Sequence, residues 1–256
     1  MHDLGFRHLR FSLTNQRVSV RWERANRLGR SSTCFYIVAF LILFIPGLLW
    51  AQQILTAENY FDEISARYGK IQDYAAKITI TQGETVMAGT LYYKSPNLLR
   101  IDFTDPEDQV LVTNGSELTI YIPRYEVILV QRLRRRSQAA LANMVSEQGL
   151  NLLKKNYGVA YLSGPEFVPL EEGSDEQVRK LKLESRSTAE GFRQIILAIG
   201  RTGLIRRITG VTIGYEEFVL DLTDTVVNQN IPDTRFEYDS PPYANVYNDF
   251  LFEAEE

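Results

Sequence analysis

The stretch GTLYYKSPNLLRIDFTDPEDQVLVTNGSELTIYIP, residues 89–123, decides the fold. It divides into four short strands separated by turns. An apolar strand ends at Lys94, Ser95-Pro96-Asn97 turns the chain, and Leu98–Phe103 alternates apolar with polar. Asp105-Pro106-Glu107-Asp108 then turns into Val110–Thr113, and Asn114-Gly115 turns again into Leu118–Ile122. Asn-Gly between alternating apolar runs is a strong short-range hairpin signal, because both residues tolerate the positive φ angles of a tight two-residue turn. Nothing in the stretch is chemically reactive. It reads as scaffold for a surface, not for a reaction centre.

Outward from this stretch, the first 51 residues stand apart. Arg21, Arg24, Arg27 and Arg30 precede an apolar run from Phe35 to Trp50, followed by Ala51-Gln52-Gln53. A basic segment, an apolar run and a small residue are the layout of a secretory signal peptide, with cleavage expected near Ala51. The rival reading is an uncleaved anchor, but the run is short of the ~20 residues a span needs. The chain is thus expected to comprise a leader, 1–51, and one domain, 52–256. Residues 1–51 hold 7 of the 28 basic and 2 of the 32 acidic residues, which leaves 21 basic and 30 acidic and a formal net charge of −9. An acidic domain of this kind is a poor partner for nucleic acid. The leader also takes both histidines (His2, His8), the only cysteine (Cys34) and both tryptophans (Trp22, Trp50). The remainder lacks the usual general base, thiol nucleophile and soft metal ligands. No serine sits in a Gly-x-Ser-x-Gly elbow. The expectation is a non-enzyme with no metal and no cofactor.

Ile54, Ala57, Phe61, Ile64, Tyr68 and Ile71 recur at spacings of three and four, which predicts an amphipathic helix of about five turns with Gly69 near its end. Tyr74, Ala76, Ile78 and Ile80 then alternate as a half-buried strand. Gly83-Glu84 turns it into Val86–Lys94, and Glu126–Leu133 is a further strand. From Ser137 to Lys155 the period changes: Leu141, Met144, Val145, Leu152 and Leu153 follow a helical repeat, with Gly149 in the middle predicting a kink or two short helices. Glu171, Glu172, Asp175 and Glu176 read as a solvated loop. Strands are expected again at Gln177–Ser185, Phe192–Ile199, Leu204–Tyr215 and Glu217–Thr223, and Phe236 and Tyr238 alternate near the end. The inventory is a helix, six strands, a helical insertion, then four or five more strands. It predicts an α+β domain built on an antiparallel meander, with one face buried. The face carrying Leu91, Tyr93, Leu99, Ile101 and Phe103 needs a cover. Periodicity alone leaves open whether the space beneath is a closed core or a cavity.

Gly89-x-Leu91-x-x-Lys94-x-Pro96-Asn97-Leu98-Leu99, then Pro106, Val110–Gly115, Leu118 and Tyr121-x-Pro123 resemble the LolA family of periplasmic lipoprotein carriers. The opening helix and strand, the Gly200–Gly203 hairpin and the ending Asn228-Gln229-x-Ile231-Pro232-x-x-x-Phe236 match in order and spacing. The resemblance implies a curved, unclosed β-barrel (a half-barrel) with a helical lid over a hydrophobic cavity for lipoprotein acyl chains. On that reading Tyr74, Ile78, Leu91, Tyr93, Leu99, Ile101 and Phe103 line the cavity. Ile64, Tyr68, Leu141, Met144, Val145 and Leu152 form the lid. It further implies a monomer in the periplasm that takes cargo from an inner-membrane lipoprotein-release complex towards an outer-membrane acceptor. The same architecture also suits an envelope-stress sensor or a carrier of free lipid or glycolipid. Arg132, Arg134, Arg135 and Arg136 are either a solvated loop or a docking patch. One departure is specific: the family has an arginine directly before Pro-Asn that hydrogen-bonds to the lid, and this chain has Ser95, with one donor instead of five.

Overall fold

A computed structural model of the protein describes residues 55–133, 146–187 and 190–250. The chain enters through helix α1, Ala57–Tyr68, whose first turn is capped by Thr56 accepting from the Asn59 N–H at 3.2 Å. At twelve residues it is shorter than the expected five turns. After Gly69 the N–H groups of Lys70 and Ile71 bond to the carbonyls of Arg67 and Tyr68, three residues back, and these tight turns steer the chain into the sheet. Ile71 is therefore off the helix yet still buried.

Six strands follow: β1 Asp73–Gln82, β2 Thr85–Lys94, β3 Leu98–Asp105, β4 Val110–Thr113, β5 Glu117–Ile122 and β6 Val127–Arg132. Helix α2, Glu147–Asn156, comes next, and runs directly into β7, Tyr157–Tyr161. Then come β8 Val168–Pro169, β9 Gln177–Ser185, β10 Phe192–Gly200, β11 Ile205–Thr212, β12 Glu217–Val227 and β13 Asn245–Asn248. Seven strands follow α2 among the described residues, not four or five. The additional ones are short or weakly patterned: YGVAY carries a glycine and an alanine, β8 has two residues, and NVYN alternates nothing. Residues Asp233–Phe236 form a 3-10 turn, not the alternating segment expected around Phe236 and Tyr238.

The strands form one sheet in the order β13-β6-β5-β4-β3-β2-β1-β12-β11-β10-β9-β7, with β8 also on β9. All pairings are antiparallel except β13 on β6. Two meanders meet where β1 pairs with β12. The sheet starts at β13 and ends at β7 without joining the two, so it is a mainly antiparallel sheet left unclosed. Gly89 marks the bulge between β2 and β3: a Cβ there would stand 2.4 Å from the Asp102 carbonyl oxygen, so no larger residue fits the register.

Helices α1 and α2 lie antiparallel. Lys154 pairs with Asp62 at 2.5 Å, Ser65 donates to Asn151 Oδ1 at 3.0 Å, and Glu147 covers Gly69. Gly149 sits in the first turn of α2, where its N–H donates to the Ser146 cap, and not at a mid-helix kink. Residues 137–145 of the expected helical insertion lie outside the described residues. No helix among the described residues is long and apolar enough to cross a membrane.

Two polar devices hold the outer parts. The buried Asp73 carboxylate accepts from the Gln229 and Asn230 N–H groups at 2.7 and 3.1 Å, pinning the chain after β12 to the start of β1. The acidic loop before β9 is not simply solvated. Glu176 pairs with Arg206 at 3.0 Å and Glu171 with Arg207, while both arginines share Asp221.

Candidate functional site: the inner face of the sheet

Register places the inward side chains in rows that run across the strands. One row is Tyr74, Tyr93, Leu99, Thr113, Leu118 and Gln131. The next is Ala76, Leu91, Ile101, Leu111, Ile120 and Leu129. A third joins Leu222, Ile78, Gly89 and Phe103. The seven residues expected on the cavity wall all stand on this one face, each 2–8% exposed. They share a single cluster with Tyr60, Phe61, Ile64 and Tyr68 of α1 and Leu150 of α2. Each fully buried aliphatic or aromatic side chain there contributes about 1.5–3 kcal/mol.

The cover is uneven. Along the second row Ala76, Leu91 and Ile101 are buried, whereas Leu111, Ile120 and Leu129 stay half-buried. Leu111 touches the edge of the core, and Ile120 and Leu129 lie outside it. Met87, Ile80 and Leu220 are likewise half-buried, in a fourth row with Ile208, Leu197 and Leu181. The result is an apolar shelf on β4–β6 that begins where the core under the helices stops. The sequence reading missed Leu111, Ile120 and Leu129, although the alternation of VLVT, ELTIYI and VILVQR carried the signal.

The outer face of the same strands is also unevenly covered, with Val110, Thr119 and Val130 half-buried. Val112, Tyr121 and Ile128 point outward yet are buried, and a strap formed by residues 231–249 lies against Tyr121 through Tyr238 and Tyr243. Arg100 donates to the Arg235 and Glu237 carbonyls at 3.2 and 2.9 Å, and Lys94 to the Ile231 carbonyl at 2.7 Å. Arg235 stacks 4.5 Å over Tyr92, and Phe236 is buried. The strap ends as β13 on the edge of β6.

Of the expected lid residues, Ile64 and Tyr68 are buried in α1. Leu152 is half-buried on α2, whose core-facing residues are Leu150 and Leu153. Leu141, Met144 and Val145 lie outside the described residues, as do Arg134, Arg135 and Arg136. Arg132 is exposed and committed to Asp249 of the strap at 3.0 Å.

The polar groups near the helices are tyrosine hydroxyls. Burial pushes Tyr68, Tyr74 and Tyr93 above the ordinary phenol value, so all three stay neutral donors at physiological pH. Tyr68 accepts from the Ile205 N–H at 2.9 Å. Tyr93 stacks 5.1 Å from Tyr74 and donates to the Pro96 carbonyl at 3.3 Å. The nearby Ser146 and Ser95 hydroxyls favour its ionised form, which holds its rise back. Ser146 caps α2. Tyr93, two residues before Ser95, thus has its hydroxyl beside the cap of α2.

The profile of the family described as "Outer membrane lipoprotein carrier protein LolA" matches residues 79–239. An outer-membrane lipoprotein carrier protein of Pseudomonas paraeruginosa is 25% identical over 163 residues, covering 62% of this chain and 70% of that one. Its namesake in Idiomarina loihiensis is 26% identical over 183 residues, covering 68% and 78%. Among solved structures, an uncharacterized conserved protein from Thermus thermophilus matches with a TM-score of 0.49 at 14% identity, over 75% of this chain and 98% of that one.

Proposed function

Because the chain belongs to the LolA family of outer-membrane lipoprotein carrier proteins, we propose that it is a periplasmic carrier that holds the acyl chains of lipoproteins between the two membranes. Residues 1–51 serve as its export leader and 52–256 as one carrier domain. The carrying observation is the apolar shelf of Leu111, Ile120 and Leu129, half-buried beside a closed core. In this reading the expected wall residues Leu99, Ile101 and Phe103 form the inner end of the site and the shelf its entrance.

The energetics suit a carrier. Each buried methylene is worth ~0.8 kcal/mol, so an acyl chain of roughly fifteen carries about 12 kcal/mol of drive to leave water. An apolar surface that is present but incompletely enclosed offsets much of this and still lets the cargo go. A lipoprotein-release complex in the inner membrane supplies the cargo, and an acceptor at the outer membrane takes it.

Two experiments test the reading. Ile120→Glu sets a carboxylate on the shelf at a half-buried position, where folding tolerates it and an acyl chain does not. Affinity for a triacylated lipopeptide is expected to fall about tenfold or more with an unchanged circular-dichroism spectrum. Undiminished binding would remove the shelf from the site. In cells, depletion should strand lipoproteins at the inner membrane; normal delivery would sink the carrier role.

A further inference from the structure

A second concavity of about 610 Å³ opens between the end of α1, the β10–β11 turn and the end of β12. Its floor is apolar, made by Ile71, Leu204 and Val227, and all three belong to or pack against the main core. Its rim carries Arg67 and Lys70, both exposed. Neither makes an ion pair among the described residues, although Glu63 stands one helical turn from Arg67 on the same rim. In a domain with nine more acidic than basic side chains beyond residue 51, two uncommitted cations side by side call for an explanation. The helix macrodipole favours cations at a C-terminus, but that accounts for charge near the last turn and not for its placement over an apolar floor.

Arg67 is placed, not merely present. Its side chain lies against the bare Cα of Gly203, where a Cβ would stand 2.5 Å from Nε, and Gly203 has the positive φ of 76° that suits glycine. Across the groove, Asn228 accepts the Gln72 N–H through Oδ1 at 2.8 Å, which leaves its amide nitrogen as a donor. A guanidinium, an ammonium and an amide N–H over methyl groups form a site for an anion attached to a hydrocarbon.

We propose that this groove is a headgroup site for a phosphate-bearing acyl lipid. Arg67 takes the phosphate in bidentate fashion, Lys70 adds a point charge, and the first methylenes lie on Ile71, Leu204 and Val227. The proposal rests on the acyl-binding reading above and adds a charge preference to it.

Titration calorimetry with lysophosphatidylglycerol and with monoacylglycerol of the same chain length, both below micelle formation, tests it. The phosphate lipid is expected to bind about tenfold more tightly, an advantage that shrinks at high salt. Arg67→Gln together with Lys70→Gln, at two exposed positions, should abolish the preference and leave monoacylglycerol binding unchanged. Equal affinities for the two lipids, or a preference that survives in the double variant, would overturn the headgroup site while leaving the acyl site standing. Glycerol 3-phosphate binding as tightly as the lysolipid would reassign the groove to a soluble phosphoester and overturn the lipid part. Failure of both lipids to bind would overturn the acyl-binding reading and this proposal with it.

Discussion

Two residues carry more than their size suggests. Asp73 is a buried carboxylate that satisfies two backbone N–H groups of the segment after β12. Asp73→Ala would remove the acceptor of both part-buried bonds, at a cost of about 2 kcal/mol. Urea unfolding should show the midpoint falling with little change in slope. Tyr93 is the second, because its hydroxyl touches Ser95 and the α2 cap while its ring belongs to the core. Tyr93→Phe keeps the ring and removes the hydroxyl with its bond to the Pro96 carbonyl, costing about 1 kcal/mol. The effect should concentrate in α2, seen as faster amide exchange at Glu147–Asn156 with β1 and β2 unchanged. Uniform loss of protection would mean that Tyr93 acts only as core.

Strand β13 shows an element held by few contacts. It pairs with β6 alone, all four of its residues are exposed, and Asp249 beyond it is tied to Arg132. The hydrogen bond from Arg132 holds the Asp249 carboxyl below the ordinary aspartate range. A depressed carboxyl contributes stability above its unfolded value, about 3.9, and that contribution is lost as pH falls through the lower folded value. Exchange at Asn245–Asn248 should therefore accelerate in acid before the central strands respond. Arg132→Gln should raise it already at neutral pH and remove the acid step; an unaltered acid step would exclude this pair as its cause. Elements of this kind also mark where the sequence was legible. The six strands from Asp73 to Arg132 were readable because each alternates between strong turn signals. β13 was not: NVYN has no alternation, since neither of its faces is buried. The length of α1 was overread because Ile71 keeps the helical spacing while serving the core from a turn. At the candidate site, the common face of Leu91, Tyr93, Leu99, Ile101 and Phe103 was legible from alternation, but the depth at which the core stops was not. That boundary depends on which strands the helices reach, a tertiary fact with no local trace.

At the scale of the molecule, the sheet is stabilised from different sides along its width. Helices α1 and α2 cover the inner face around β1 and the neighbouring strands, and the strap covers the outer face of β4–β6. A chain ending after Asn230 would expose Val112, Tyr121 and Ile128 and remove the β6 edge partner. Burial of three such side chains is worth roughly 5 kcal/mol. The shortened protein should bind an apolar dye strongly and melt well below the full chain; equal melting temperatures would make the strap dispensable.

The strap has a further consequence. With the strap paired to the β6 edge, Ile120 and Leu129, half-buried and outside the main core, contribute less to folding than its buried members and can be exchanged for other apolar side chains one at a time. Larger or smaller choices there would remodel the space offered to a hydrocarbon without passing through an unfolded ancestor. Under the proposed carrier reading, the shelf is where a change of side chain would alter cargo preference at the least expense to the fold.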